Sequence, residues 1–196
     1  MNAVPTPTPS FHFRSVTCHS AHPDGRTIFF SAHHHGTYSF DTETCEWRRR
    51  GDWMLPFEGH ACYDGEVDAW VGLRWHSTDL GSVCSCDVVS AGDDQGQGLQ
   101  PPPAWKLAKE KMVCEDRERT QNVALTRMGH GKFCLVELRS RKGVPVDLLD
   151  SRSLFYATTF KLRYDKNGGL RATARRTRSY TMPTHSNGLN WWLCGI

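Results

Sequence analysis

Short runs of apolar residues, separated by turn residues, recur along most of the chain and predict β-strands. Residues 27–31 and 37–41 are short, aromatic and β-branched, and His33, His34 and His35 lie between them. Such runs on either side of a polar segment are typical of two strands joined by a hairpin loop. This part of the chain therefore predicts a β-hairpin.

Two dipeptides give further hairpin turns. Asp64-Gly65 is flanked by apolar residues, and Asn167-Gly168 separates expected strands at 160–164 and 170–174. Glycine accepts the positive φ that a tight turn requires, so both are strong turn signals. Only residues 107–113 have mild helical character, and they could equally form an outer strand. We expect an all-β fold with very little helix.

One pattern occurs about three times: a turn, an apolar strand, a second strand ending in Asp, and then a Trp. The copies start near residues 24, 63 and 129, and the second and third contain insertions. A period of roughly 40–50 residues built from short strands is typical of a β-propeller blade. The pattern predicts a partial propeller of about three blades, or stacked antiparallel sheets.

A complete propeller usually has about 4–8 blades. Three blades leave two explanations: an open ring whose end sheets are covered by a partner or by a second copy of the chain, or a shortened descendant of a longer protein. Uncovered end sheets would place apolar surface in water. We favour the shortened descendant and keep a homo-oligomer as an alternative.

The repeat positions suggest structural roles. The Asp residues at equivalent strand ends should accept backbone N–H bonds from the following turn. The Trp residues should pack the blades, because each buries a large area. The predicted repeat positions are Asp41, Trp47, Trp53, Trp70, Asp87, Trp105 and Asp165.

The remaining segments set the expected boundaries. Residues 1–10 are rich in Pro and Thr and predict a disordered tail, residues 11–182 the propeller-type domain, and residues 183–196 a C-terminal tail with a Trp pair. The glycine- and proline-rich residues 91–103 predict an exposed loop between two strands of one blade. A second insertion is expected at 139–151.

The repeat resembles known families. Residues 36–47, with Trp53 and Pro56 behind them, are similar to the Asp-x-x-Thr-x-x-Trp half of a kelch repeat. Residues 55–61, 69–73 and 102–107 more closely resemble a large grass family of kelch-like, F-box-associated-type proteins of unknown function. A kelch blade usually has a Gly-Gly pair after its second strand, where this chain has Ser31-Ala32 and Gly72-Leu73.

Composition and charge fit a globular intracellular protein. The 196 residues are 38% hydrophobic and carry a formal charge of +3, which does not demand a polyanionic partner. No stretch approaches the roughly 18 apolar residues of a membrane span, so no membrane association is expected. We expect a cytoplasmic or nuclear location, with an organelle transit peptide as the alternative because the first 23 residues contain no acid.

No catalytic or cofactor motif was found. His33, His34 and His35 are expected in an exposed loop, because three adjacent residues rarely all face one metal ion. Cys84 and Cys86 are expected to be reduced core residues, as are Cys62 and Cys134. The sequence contains no Gly-x-Ser-x-Gly, no phosphate-binding glycine loop and no His-Glu-x-x-His. We therefore expect no enzyme, metal or cofactor, with an unrecognised hydrolase as an alternative.

The C-terminal hairpin is the most distinctive expected surface, because it is basic and has Asp165 as its one acid. Its candidate partner-binding residues are Arg163, Arg171, Arg175, Arg176 and Arg178. These charges could protect an edge strand, bind an acidic protein or bind nucleic acid. The hairpin lacks the interleaved aromatic residues of single-strand nucleic-acid binders.

These observations predict a non-catalytic protein-protein interaction module that recognises its partner through loops and the basic hairpin. The resemblance to the kelch and grass families implies work as an adaptor or regulator in a plant cell. A nucleic-acid-binding protein that uses the same arginines is the alternative function. The sequence does not identify the partner or the pathway.

Overall fold

The computed structural model describes residues 11–74, 81–92, 99–113, 120–139 and 154–181. These ranges contain one short 3-10 helix, Phe13–Ser15, and twelve β-strands. The all-β prediction is confirmed. The two expected tails, residues 1–10 and 183–196, lie outside the described residues.

The strands form three antiparallel meanders of four strands each, in chain order. The first meander contains β1 (Val16–Ala21), β2 (Thr27–Ala32), β3 (Gly36–Asp41) and β4 (Glu46–Gly51). The second contains β5 (Gly59–Asp64), β6 (Ala69–Arg74), β7 (Ser82–Cys86) and β8 (Trp105–Leu107). The third contains β9 (Thr120–Gly129), β10 (Lys132–Arg139), β11 (Leu154–Tyr164) and β12 (Leu170–Thr181).

The first two meanders are joined through their first strands. β1 pairs in parallel with β5, with Cys18 opposite Gly59 and Ser20 opposite Ala61. This pairing makes one eight-stranded sheet, while the third meander is a separate sheet. The strand order within each meander is that of a propeller blade, in agreement with the three-copy pattern.

The hairpin turn predicted at His33, His34 and His35 lies between β2 and β3. His34 lies in the β2–β3 turn with a φ of 65°, and the His35 N–H bonds to the Ala32 carbonyl. The segment 87–104 connects β7 and β8 of one meander, although residues 93–98 lie outside the described part. Within 107–113, Leu107 ends β8, the outermost strand of the second meander. Most of the insertion at 139–151 falls outside the described residues.

One core fills the space between the first and second meanders. Trp70 is fully buried there, its ring centroid lies 5.0 Å from that of Phe29, and its Nε1 donates to the Ala21 carbonyl at 2.9 Å. Cys84 and Cys86 are buried beside them. β6 and β7 are buried on both faces. Trp70, Cys84 and Cys86 face this core, whereas Val71 and Val83 point to the other side of the sheet.

A second core lies between the second and third meanders. Its fully buried members include Val71 and Val83 on one side and Phe133, Leu135 and Leu170 on the other. Asp64 adds a polar link between these meanders. Its buried carboxylate accepts bonds from Arg127 Nε at 2.7 Å and from the Gly131 N–H at 3.3 Å. The third meander is therefore fixed against the second by apolar packing and by a charged pair.

A smaller aromatic cluster covers the far face of the first meander. Tyr38 is buried there beneath Phe11, and Trp47 packs against Phe11, Phe30 and Phe40. Trp47 thus packs on the outer face of its meander and not between two meanders. Phe11, just before the 3-10 helix, covers part of this face.

The other repeat residues have varied environments. Trp53 packs against the first core and donates to the Gln100 carbonyl at 2.7 Å, whereas Trp105 is 42% exposed beneath the Arg74 guanidinium. Asp41 and Asp165 each accept two backbone N–H bonds from the turns that follow them. Within the described part of the chain, the Asp87 carboxylate accepts no such bond. The repeat pattern therefore predicts where these residues lie in the strands and turns, but it does not predict which groups their side chains contact.

Candidate functional site

The candidate site is the face of the third meander that points away from the second core. Opposed residues on paired strands place their side chains on the same face, so the strand register defines its rows. We call this surface the open face. Its described members are Asn122, Ala124, Thr126, Lys132, Cys134, Val136, Leu138, Phe155, Ala157, Thr159, Lys161, Arg163, Arg171, Thr173, Arg176, Arg178 and Tyr180.

One end of the open face is apolar. Leu138, Phe155 and Tyr180 form one row across β10, β11 and β12, and Val136 lies in the next row. The rings of Phe155 and Tyr180 have centroids 6.1 Å apart, and Tyr180 is 51% exposed. Val136 and Leu138 are half-buried and belong to none of the three apolar clusters of the described residues. At this end Tyr180 is therefore exposed, and the other three apolar side chains are partly exposed.

The other end of the open face is basic. Lys132 and Lys161 are opposite each other, Arg163 is opposite Arg171, and Arg176 is opposite Thr159. Arg178 lies where the basic part meets the apolar part, opposite Ala157. None of the described members of the open face is acidic. The face thus joins positive charge to apolar surface.

Arg171 is bound by acidic residues at the edge of the face. Its Nε donates to Glu110 Oε1 at 2.5 Å, and the other carboxylate oxygen of Glu110 accepts the Ala172 N–H at 2.6 Å. Burial acts to raise the pKa of Glu110, but the bonds from Ala172 and Arg171 outweigh it and lower that pKa. The charge of Arg171 is therefore largely neutralised within the protein.

Asp165 holds the same edge. Lys109 Nζ donates to it at 2.8 Å, and Arg171 Nη1 lies 3.9 Å away. The Lys109 bond, followed by the Gly169 and Asn167 N–H bonds, lowers the pKa of Asp165 to about 2. Arg175 donates to the Lys111 carbonyl at 3.4 Å. The segment 109–111 thus fastens the β11–β12 hairpin and engages two of the five predicted partner-binding arginines.

The remaining three predicted residues, Arg163, Arg176 and Arg178, share the open face. Their side chains make no ion pair with any described residue. Lys132 and the aromatic pair Phe155 and Tyr180 were not predicted from the sequence as members of this surface. The alternating pattern of β10 carries a signal for Lys132, but the pairing that brings the aromatic residues together depends on a long-range register.

A polar cleft of about 200 Å³ lies elsewhere, on the first meander. Arg26, Asp41 and Glu46 line it together with Arg50, which is 7% exposed. Arg50 donates to Ser39 Oγ and to the carbonyls of Ala91 and Gly92. Its guanidinium therefore holds the 91–92 segment against the first meander.

Two histidines meet where the first and second meanders join. His19 on β1 is opposite His60 on β5, and the distance from His60 Nδ1 to His19 Nε2 is 3.3 Å. Contact with neighbouring atoms desolvates part of each ring, which lowers the pKa of both, and the electrostatic effect of His19 further lowers that of His60. Neither residue has a role that the sequence predicts, because the two lie 41 positions apart in the chain.

The histidines and cysteines that the sequence offers as possible metal ligands lie in two separate places. His33 and His34 are exposed in the β2–β3 turn, with ring centroids 4.0 Å apart. Cys84 and Cys86 are buried free thiols, and burial raises the pKa of Cys86 to about 12. No group of three or more His, Cys, Asp or Glu side chains suited to a metal ion occurs among the described residues. Across the same ranges, no helix has the length and apolar character needed to span a bilayer.

Comparisons with known proteins give one match. The model of a family described as "Protein of unknown function (DUF1668)" matches residues 2–180. The comparisons found no matching curated protein and no matching solved structure. The kelch and grass-family resemblances therefore stay predictions. Because the match spans most of its 196 residues, the chain belongs to the DUF1668 family of proteins of unknown function.

Proposed function

We propose that this protein is a non-catalytic interaction module that binds an acidic, partly apolar segment of a partner protein on the open face. The observation that carries the proposal is the joining of a basic end and an apolar end on one sheet face. Complementary charge gives such surfaces specificity and fast association, and exposed apolar patches commonly mark interaction sites. The kelch and grass-family resemblances add the proposed setting, an adaptor or regulator of a plant cell.

The positions of the charges favour partner binding over protection of a sheet edge. Basic side chains on an edge strand discourage pairing with other chains, and this would account for Arg176 and Arg178 on β12. It does not account for Lys132 on β10 or for Lys161 and Arg163 on β11, because these strands are already paired on both sides. Positive charge on internal strands is better explained by a ligand that covers the face.

The distance between the rows of the open face sets the spacing of the groups that a partner segment needs. Rows of one face are separated by two residues along a strand, or roughly 6.7 Å. The apolar row of Leu138 and Tyr180 and the basic row of Lys132 and Lys161 are three such steps apart. A partner segment therefore needs carboxylates and apolar side chains within roughly 20 Å of each other.

Nucleic acid is a second candidate, because Phe155 and Tyr180 form an aromatic pair beside Arg178. The sequence of the hairpin predicted no aromatic residues interleaved with these arginines. Aromatic rings beside cations can stack on bases of a single strand. Affinity for nucleic acid falls steeply with salt, since bound counterions are released from the phosphates.

The test is a pull-down with the full chain and two variants. The first, Arg163→Ser/Arg176→Ser/Arg178→Ser, removes the open-face arginines that have no internal ion pair. The control, Arg14→Ser/Arg49→Ser/Lys166→Ser, removes the same charge at exposed sites off the open face. Each recovered protein is then purified and its affinity for the three chains is measured.

The proposal expects a discrete protein whose binding is lost in the first variant and kept in the control. Equal affinity of one partner for all three chains would contradict the proposal. Recovery of mainly nucleic acid would favour the second candidate.

A further inference from the structure

His19 and His60 form a pair of imidazoles on one surface, held by the backbone. The parallel pairing of β1 with β5 fixes their Cα positions side by side, with Cys18 and Ser20 buried in the core on either side of His19. Both histidine side chains are exposed. The ring centroids are 5.0 Å apart, and Phe30 stacks beside His19 at 6.4 Å. The pair is therefore preformed and open to solvent.

The separation of the two facing nitrogens fits one tetrahedral metal ion. Zinc binds imidazole nitrogen at about 2.0–2.1 Å, so two ligands at the tetrahedral angle are about 3.3–3.4 Å apart. His60 Nδ1 and His19 Nε2 are 3.3 Å apart. Imidazole is also the commonest protein ligand for ions of this class.

We propose that His19 and His60 form a binding site for a divalent transition-metal ion, with Zn²⁺ as the typical occupant. Each ring would supply one lone pair, from His19 Nε2 and His60 Nδ1, and its proton would sit on the other ring nitrogen. Water molecules would complete the coordination. Because His19 belongs to the first meander and His60 to the second, the bound ion would cross-link them.

A hydrogen bond between the rings is the simpler explanation of the same distance. One ring would donate an N–H to the other, and a single proton would occupy the space where the ion would lie. This explanation predicts no metal affinity beyond that of other exposed histidines. The two explanations therefore differ in a measurable way.

The test titrates Zn²⁺ into the full chain by isothermal calorimetry. The background variant His33→Gln/His34→Gln/His35→Gln removes the three histidines of the β2–β3 turn, which could bind metal by themselves. His60→Gln and His19→Gln are each added to this background. His130→Asn is the matched control, because His130 is exposed in a turn at a φ of 53° that Asn tolerates.

The proposal expects the background chain to bind one Zn²⁺ ion and to unfold at a higher temperature when the ion is present. Loss of an outer-shell partner alone weakens metal binding about 10–100-fold, so His60→Gln and His19→Gln should each weaken it at least about tenfold. His130→Asn should leave the affinity within about twofold, because it lies outside the site.

Ring resonances add a readout for variants that fold poorly. The imidazole signals of His19 and His60 in the background chain should shift together on addition of Zn²⁺. Equal affinity of the background and His60→Gln chains would overturn the proposal. Binding that disappears with the His33, His34 and His35 substitutions would also overturn it, since it would assign the ion to the turn.

Discussion

The substitution Trp70→Phe tests the packing of the first meander against the second. Trp70 is fully buried between them and donates to the Ala21 carbonyl. The phenyl ring keeps an aromatic contact with Phe29 but removes the donor and leaves a small cavity. The lost hydrogen bond costs about 1 kcal/mol and the cavity about 1–2 kcal/mol, so the free energy of unfolding should fall by about 2–3 kcal/mol.

The assay is urea unfolding followed by far-UV circular dichroism. With a slope of about 2 kcal/mol/M, the midpoint should fall by about 1–1.5 M. Trp105→Phe is the matched control, because Trp105 is 42% exposed, and its free energy of unfolding should change by less than about 0.5 kcal/mol. Equal losses in the two variants would refute the assignment of Trp70 to a core between meanders.

Two further substitutions test close packing and the hairpin edge. Gly72→Ala should lower the free energy of unfolding by about 1–3 kcal/mol, because its Cβ would lie 2.6 Å from the Phe57 ring. Gly65→Ala, with open space around its Cβ, should leave stability unchanged or raise it by up to about 1 kcal/mol in the same urea assay. Folding lowers the pKa values of Glu110 and Asp165, so the stabilising effect of each carboxylate is complete above its unfolded pKa, 4.5 or 3.8. It is lost as the pH falls through the folded pKa, which is about 2 for Asp165. Glu110→Gln should therefore flatten the decline of thermal stability below the unfolded pKa of Glu110, 4.5, and an unchanged pH profile would contradict the role given to Glu110.

Local sequence signals predicted the turns and the apolar strands well. Asp64-Gly65 and Asn167-Gly168 both mark real turns. Gly168 has the expected positive φ, 72°, whereas in the first turn the positive φ, 47°, belongs to Asp68 and not to Gly65. The first strand of each meander gave a weaker signal. β1 and β9 contain Thr, Ser, His or Asn among their apolar residues, so they lack a long continuous apolar run.

The candidate site could be predicted only in part. Arg163, Arg176 and Arg178 were identified because they are close together in the sequence. The ion pair between Arg171 and Glu110 could not be predicted, since the two residues are 61 positions apart. The bulge at Ala174, whose φ is 53°, also changes which residues of β12 share a face. Such effects arise from long-range pairing and cannot be derived from local alternation.

The central claim is that the open face binds an acidic partner segment. The most direct measurement is the affinity of the recovered partner for the unmodified chain, for Arg163→Ser/Arg176→Ser/Arg178→Ser and for the charge-matched control, over a range of salt concentrations. The account predicts at least a tenfold loss, or roughly 1.4 kcal/mol, in the open-face variant, a weaker salt dependence there, and little change in the control. Equal affinities and salt dependences for the open-face variant and the control would contradict it.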